Sequence, residues 1–433
     1  MEYVLLALAV VALCSHVMAG TSVWRAMRRA PRPARGSAWP RVSVLKPLRG
    51  LDDQLEQNLE SYFELDYPRF DIVFCAADAS DPALAVARRV KARHPDVSCR
   101  IVVGEVSAGL NPKVKVLAHA TPFTRGELIL VSDSNVRVRP SYLRESVNAM
   151  EDPEVAVVSN LVAGVDERSL GATLENLQLN GFIAPAICMG MMLRALPCVV
   201  GKSMLIRRTD LDAIGGWEVL ADVLAEDYVL GRKLARRKRR AIICPHVVET
   251  VNEHWNLGRF LERHDRWLKM RWRINAAALV YELVANVTLW TLSWVMCAGP
   301  TPAVLTGAAA LLAGRIGIEA FESRLLRRGR RMAWFRFALV PVRDLVLALL
   351  WAHARISRTV RWRQGTTFVL GPESALILPE AARSPARVPE PEPATLAPAG
   401  SIPAVARSGP PARPPIDRLA PPGPESISSQ PHR

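Results

Sequence analysis

The chain has 433 residues, room for up to about three compact units at ~150 residues each. Half of it is hydrophobic and 22% is charged, which excludes a wholly disordered or collagen-like polymer. The net charge of +15 points to a membrane surface or an anionic partner, and the seven scattered cysteines, with no C-x-x-C pair, exclude a zinc ribbon or a thioredoxin-like site.

Residues 3–20 are an uncharged apolar run of 18, long enough to span a bilayer as a helix. Arginines follow it (Arg25, Arg28, Arg29, Arg32, Arg35, Arg41), the reverse of a secretory signal, so residues 1–24 read as an anchor whose C-terminal side is cytoplasmic. From about residue 40 to 275 short apolar runs alternate with amphipathic stretches. Strands are expected at 41–46, 70–77, 99–105, 127–132 and 155–161, and helices at 52–64, 81–94, 112–120 and 141–150. This alternation argues for a mainly parallel sheet with helices on both faces, whose ligands bind beyond the carboxyl ends of the strands. Lys46, Asp78 and Asp133 stand at those ends, where turn and cap roles compete with binding roles. The apolar stretch 184–200 fits a core helix or a dip into the membrane interface.

Asp133-Ser134-Asn135 closes a buried-type strand where nucleotide-sugar enzymes often carry D-x-D; one carboxylate with hard oxygen chemistry suits Mg²⁺ or Mn²⁺. Glu226 and Asp227 open a helix and face different directions, so that one can enter a cleft as a proton acceptor while the other caps or meets solvent. Arg263 and Arg266 share a face of the amphipathic stretch 257–273, with Trp267 beside them; the pair suits a diphosphate, and a basic helix on a membrane surface fits as well. Gly201-Lys202-Ser203 lacks the upstream glycine of a phosphate loop, the basic run 236–240 lacks any nucleic-acid module, and His246 and His254 lack metal-ligand spacing.

Apolar segments return at 276–297, at 301–320 (with Arg315 and Glu319 four apart) and at 337–351, which is short for a span and contains Arg343-Asp344; residues 276–352 thus hold two or three membrane segments. A juxtamembrane piece, 353–370, follows. The remainder, 371–433, carries about half of the 33 prolines and is expected to be disordered.

In order along the chain stand Lys46-Pro47-Leu48-Arg49-Gly50, Phe63 to Pro68, Asp78 with Asp81-Pro82-Ala83, Gly109-Leu110-Asn111-Pro112-Lys113, Asp133-Ser134, Ala225-Glu226-Asp227-Tyr228 and Arg263-x-x-Arg266-Trp267. The set resembles ceramide glucosyltransferases of glycosyltransferase family 21 over about residues 40–275, and weakly at Arg361 to Gly365; hopanoid-associated glycosyltransferases are similar in the same places. The resemblance implies an α/β, Rossmann-like GT-A domain at 40–275 between N- and C-terminal transmembrane helices. It implies a multi-pass protein of the cell inner membrane with its catalytic domain cytoplasmic. By the same resemblance Asp227 is the base of an inverting displacement, Asp133 ligates Mg²⁺ or Mn²⁺, and Asp78 contacts the uridine of a UDP-sugar. Arg263, Arg266 and Trp267 lie over diphosphate and acceptor, and Lys46, Asn111 and Lys113 lie near the donor. The expected partners are a UDP-sugar, a lipid acceptor and a membrane, with no nucleic acid. Asn135 replaces a second Asp, and Phe182 to Pro185 lack the histidine of animal ceramide enzymes, which leaves the acceptor open between ceramide and a hopanoid polyol. A processive polysaccharide synthase needs more membrane helices than this chain offers, and a catalytically dead scaffold would not need these residues together.

Overall fold

The computed structural model describes residues 1–28, 39–193, 199–361 and 366–379. Trp362 to Gly365 and the tail beyond 379 therefore lie outside the described residues. Helix α1 is Glu2–Met27. The next elements are β1 (Val42–Pro47), α2 (Leu55–Glu60), β2 (Phe70–Ala76), α3 (Pro82–Arg93), β3 (Cys99–Val103), α4 (Pro112–Ala120), β4 (Leu128–Ser132) and β5 (Val136–Arg137). They are followed by α5 (Tyr142–Asn148), β6 (Val155–Val165), α6 (Leu170–Gln178), a π-helical turn at Leu179–Ile183, α7 (Ala184–Met192), β7 (Ser203–Arg207), α8 (Arg208–Ala213), α9 (Glu226–Arg236), β8 (Arg240–Val251) and α10 (Leu257–Ile274).

Strands β1, β2 and β4 are buried almost throughout, as expected of strands covered on both faces. Their side chains divide by period two. Val44, Ile72 and Phe74 pack with Leu59, Tyr62 and Leu84 on one face. Leu45, Val73 and Val131 pack with Leu117, Trp217 and Leu230 on the other. Asp81 caps α3 by accepting from the Ala83 N–H, with Pro82 at the first helical position. The expected helix 52–64 is confined to Leu55–Glu60, because Gln54 turns left-handed (φ 50°) ahead of it.

The sheet runs β3-β2-β1-β4-β7-β6-β8-β5. Its first four strands are parallel. The expectation of a mainly parallel sheet fails in the second half. There β7 is antiparallel to β4 and β6, β8 is parallel to β6, and β5 is antiparallel to β8. Strand β7 is not among the expected strands, and its reversed direction sets Ser203 opposite Ser132. The residues entering β7 thus lie beside those leaving β4. A parallel nucleotide-binding half continued by a mixed half is the GT-A form of the α/β class.

Among the described residues, three helical stretches are long and apolar enough to cross a membrane: α1, α13 (Pro302–Leu326) and Trp334–Ile356, a 3₁₀ turn running into α14 (Val340–Ile356). The single span expected at 276–297 is instead a bent pair, α11 (Ala276–Val284) and α12 (Val287–Ala298), meeting at 50°. Asn286 makes the break: its Oδ1 caps α12 at the Leu289 N–H (2.9 Å) while its Nδ2 donates to the Asp344 carbonyl (2.9 Å). Glu282, costly at a span centre, pairs with Arg271 of α10.

The Arg315–Glu319 pair forms at 2.6 Å and is extended by Arg343, which holds Glu319 at 2.6 and 2.9 Å and Asp344 at 2.6 Å. All four side chains are buried. Glu319→Ala leaves Arg315 and Arg343 to share the single carboxylate of Asp344 among apolar helices, and about 3–5 kcal/mol of stability is expected to go with it. Thermal unfolding of the purified protein in detergent measures this.

Three arginines at the end of α13 and in the segment after it are engaged by the sheet domain. Arg327 pairs with Glu167 (2.8 Å), Arg330 with Asp166 (2.9 Å) and Glu249 (3.2 Å), and Arg336 with Glu167 (3.2 Å). The folded chain also extends past the expected boundary at 370. Strands β9 (Thr359–Arg361), β10 (Thr367–Leu370) and β11 (Leu376–Ile377) form an antiparallel sheet. Beside it, Leu376 N–H donates to the Asp222 carbonyl (2.7 Å) and Leu224 N–H to that of Ser374 (2.9 Å). The Ser374 hydroxyl accepts from the Ala225 N–H (3.1 Å), and Glu373 holds Arg232 of α9 (2.9 Å).

Candidate active site

The carboxyl ends of β1 and β4, the turn into β7 and the first turn of α9 converge on one cluster. Lys113 is its hub. Its ammonium lies 3.0 Å from Asp133 Oδ1 and 3.0 Å from Glu226 Oε1, and donates to the Gly201 carbonyl at 3.1 Å. The Gly201 N–H in turn donates to Asp227 Oδ2 (2.8 Å), whose Oδ1 accepts from the Tyr228 N–H (2.7 Å). Residues more than a hundred positions apart in the chain are thereby fixed in one pocket. Gly201 is required by close approach, since a Cβ there would stand 2.8 Å from Asp227 Oδ2.

Charge in this cluster is unevenly balanced. Burial and then the neighbouring Glu226 carboxylate raise Asp227, against the pull of Lys113, to a pKa of about 6. Burial acts to raise Asp133 too, but Lys113 and Lys202 outweigh it and hold that carboxyl below its ordinary range. Lys113 is held above its ordinary value: burial lowers it, and Asp133 and Glu226 more than compensate. Burial brings Lys202 down to about 8 even with Asp133 opposing. One pocket therefore contains a permanently ionised carboxylate and a carboxylate poised near neutrality, the separation that divides binding from proton transfer.

Lys46 is fully buried, donates to the Asp133 carbonyl (2.8 Å) and lies 3.7 Å over the Tyr62 ring, so it supports the Asp133 turn from behind. Asn111 caps α4 with Oδ1, at the N–H groups of Lys113 (3.0 Å) and Val114 (3.3 Å), and its Nδ2 donates to the Val223 carbonyl (2.8 Å). It thus ties the turn bearing Lys113 to the segment leading into α9. Gly109, in the same turn, has φ +97° and would place a Cβ 2.6 Å from that of Ala221. Asp78 follows β2 at the same edge of the sheet but stands apart from the lysine–carboxylate cluster. It is exposed, with Oδ1 accepting from the Ser80 N–H and hydroxyl at 2.8 Å each.

On α10, Arg263 lies 3.3 Å from Glu175 of α6 and 4.2 Å over the Trp267 ring; Arg266 shares its face. Glu175 also accepts from His264 (2.9 Å), and its pKa falls to about 2 because Arg263 and His264 outweigh the effect of burial. The field of Arg263 reaches Lys202, so this helix and the cluster act on one space.

Three features differ from the sequence reading. Glu226 does not meet solvent; both α9 carboxylates belong to the pocket, with Glu226 buried. Lys202, set aside with the failed phosphate loop, donates to Asn135 Oδ1 (2.9 Å) and lies 3.6 Å from Asp133. Glu175 had no signal of its own, since its partners are 88 and 89 positions away. His254 stands with Asp53 and Glu253, ligand atoms within 4.8 Å, but Asp53 Oδ2 already accepts from the Glu253 (2.7 Å) and His254 (3.2 Å) N–H groups and so fastens two loops.

A GT-A sheet that gathers carboxylates and lysines at its carboxyl edge, with an arginine-bearing helix across it, defines a glycosyltransferase. The model of the family "Glycosyl transferase family 21" matches residues 4–376, and the chain belongs to that family. It is 32% identical over 233 residues to "Ceramide glucosyltransferase 1" of Caenorhabditis elegans, covering 54% of this chain and 50% of that protein. It is 29% identical over 192 residues to "Ceramide glucosyltransferase" of Komagataella phaffii, covering 40% and 38%. The chain therefore spans about half the length of these curated relatives, or less. Among solved structures it is similar to the mannosyltransferase PcManGT from Pyrobaculum calidifontis in complex with GDP-Man and Mn²⁺, with TM-score 0.48, 19% identity, and coverage of 81% of this chain and 98% of that one. A further likeness is to S. aureus TarS 1-349 in complex with UDP-GlcNAc, with TM-score 0.37, 13% identity, and coverage of 78% and 99%.

Proposed function

We propose that the protein transfers glucose from UDP-glucose to the hydroxyl of a lipid, ceramide, at the cytoplasmic face of the cell inner membrane. The observation that carries this reading is the Lys113 bridge, which joins Asp133 to the first turn of α9 and so puts Asp227 in the same pocket. The names of the curated relatives favour ceramide as the acceptor.

In this reading Asp227 accepts the proton of the attacking hydroxyl. Its oxygens each accept one backbone N–H, which fixes the carboxylate while leaving lone pairs for that proton. Inversion follows from a single displacement. Arg263, aligned by Glu175, and Arg266 meet the departing diphosphate, Trp267 offers a flat wall to the sugar or the lipid neck, and Asp78 contacts the uridine. Lys113 stays charged and balances Asp133 and Glu226. The donor set fits a divalent ion: Asp133 and Glu226 already share one cation, the Lys113 ammonium, and Asp133 is partly open to the cleft. Asp133 would hold Mg²⁺ or Mn²⁺, which supplies charge neutralisation for the diphosphate.

Membranes from cells expressing the chain, given labelled UDP-glucose or UDP-N-acetylglucosamine, are expected to yield labelled glucosylceramide. A labelled hopanoid would replace this reading with hexosamine transfer to a polyol lipid, and polymer at the chromatographic origin would replace it with processive synthesis.

A further inference from the structure

Helices α1 and α13 touch the sheet domain at one end only. Val23 and Ala26 of α1 and Leu326 of α13 pack with Leu161 and Ala163 of β6, while Ala9 of α1 and Leu311 of α13 meet Trp294 of α12 in a separate apolar cluster. Leu311 stands about 22 Å along α13 from Leu326, the reach of a helix that crosses a bilayer. The stretch Trp334–Ile356 behaves otherwise, because both of its ends return to the sheet domain. At its start Arg336 donates to the Glu167 carbonyl and lies 3.2 Å from the carboxylate. At its close His353 Nδ1 lies 2.8 Å from Asp265 of α10, and just beyond Ile356 the Thr359 carbonyl accepts from Lys269 of α10 (2.9 Å).

A helix set along the bilayer normal does not allow this. About 25 Å of helix separate Arg336 from His353, so a span would carry His353 nearly to the far surface, and β9 with it. Yet the sheet that β9 begins ends beside Asp222 and Leu224, at the entry to α9. The middle of α14 is shallow as well. Arg343 meets Glu319, which lies only about 10 Å along α13 from Leu326, and Asp344 meets Thr288 and Asn286 where α12 begins.

The inner face of α14 is charged and its outer face apolar. Arg343 and Asp344 are buried, whereas Val342, Leu349 and Ile356, which recur every seven residues on one face, are 50%, 72% and 85% exposed. Trp334 and Phe335 are exposed at the start of the stretch, and no charged side chain from 337 to 352 is exposed. Charge returns at the close. Arg355 lies 5.5 Å over the Trp272 ring, and the charges of Arg355 and Arg358 both bear on Arg273 of α10. Among the described residues these three arginines have no acidic partner, although Lys269, Arg271 and His353 beside them each have one.

We propose that Trp334–Ile356 does not cross the membrane but lies in the lipid boundary on the sheet domain's side, with Val342, Leu349 and Ile356 against the hydrocarbon of that leaflet. The leaflet that α1 and α13 enter is continuous with this face and covers it. Unpaired arginines beside two tryptophans, Trp272 and Trp351 with rings 5.2 Å apart, match the layer of lipid phosphates at its edge. The inference goes beyond the reaction proposed above and holds for whichever sugar and acceptor the site takes. Its consequence is placement. Leu350 and Ala354 of α14 pack with Leu268 and Trp272 of α10, so the arginine-bearing helix of the site is seated on the lipid surface through α14.

The test uses the full-length protein in nanodiscs, spin-labelled in turn at Val342→Cys, Leu349→Cys and Ile356→Cys. The exposed Cys14 and Cys297 and the half-buried Cys99 are replaced by serine, and the same protein without a new cysteine serves as the blank. Depth is read from relaxation of each label by oxygen against relaxation by a water-soluble nickel chelate. The three labels are expected at one shallow depth, all reached by oxygen. A depth that changes by about 10 Å from each site to the next makes the helix a span and overturns the proposal. Labels open mainly to the nickel chelate, or shielded from both reagents as under a partner protein, overturn it too. Sidedness is a second reading that leaves the stripe untouched. In sealed vesicles an impermeant maleimide should reach Ala333→Cys and Thr359→Cys from one side and the native Cys297, at the α12–α13 turn, from the other. Labelling of Thr359→Cys from the side that labels Cys297 overturns the proposal.

Discussion

Asp227→Asn is expected to lower the transfer rate by ~10²–10⁴-fold, the usual worth of a positioned general base, while UDP-glucose binding changes little. The amide keeps the shape of the carboxylate and an oxygen for the Gly201 N–H, but it cannot take a proton. The same residue sets a pH limit. Burial and the Glu226 carboxylate raise Asp227 to about 6, against Lys113. A base works ionised, so the rate should hold above that value and fall tenfold per unit as pH drops below it. The Lys113→Met variant, freed of the cation that favours the ionised form, should move the limit upward. Rate–pH profiles of wild type and Lys113→Met in nanodiscs check both; a profile flat to pH 4.5 would remove Asp227 from the base role.

Asp133→Asn should cost about 10²–10³-fold in transfer and abolish the response to Mn²⁺ or Mg²⁺. Lys113, Lys202 and Lys46 all depend on this one residue: two ammoniums face its carboxylate and the third its carbonyl. Removing the charge leaves Lys113 with Glu226 alone and Lys202 under the influence of only Asp52 and Glu175, so UDP affinity measured without metal should rise or hold as the lysines turn to the diphosphate. Calorimetric titration with UDP, with and without Mn²⁺, separates the effects. Undiminished activity in excess chelator would exclude Asp133 as a metal ligand.

What could be read from the sequence was local. Short, mainly apolar runs marked β1, β2 and β4, Asp81-Pro82 marked the start of α3, and the four-residue spacing of Arg315 and Glu319 marked a pair that forms. The acidic residues of the pocket were legible because each ends a strand or opens a helix. What remained hidden was non-local. Strand β7 is five residues long and follows an apolar stretch whose periodicity does not separate it, so the antiparallel partner that delivers Gly201 and Lys202 to Asp133 went unseen. Glu175 is one carboxylate in an ordinary helical pattern until the fold sets it against Arg263 and His264. The break at Asn286 depends on a carbonyl 58 residues away. Asp78 was legible as a strand end, and the fold keeps it on that edge without joining it to the lysines.

The pairing of Leu224 and Ala225 with Ser374 means that the stretch of backbone aiming Asp227 is finished by a segment made long after it. Glu226 and Asp227 are made about 150 residues before Ser374 and Asp133 about 240 before it, with α11, α12, α13 and α14 following α9 in between. A nascent or half-inserted chain thus owns the reagents without the brace that trains them on a substrate. The aim of Asp227 is thus completed only after the apolar helices that precede Ser374 have been made.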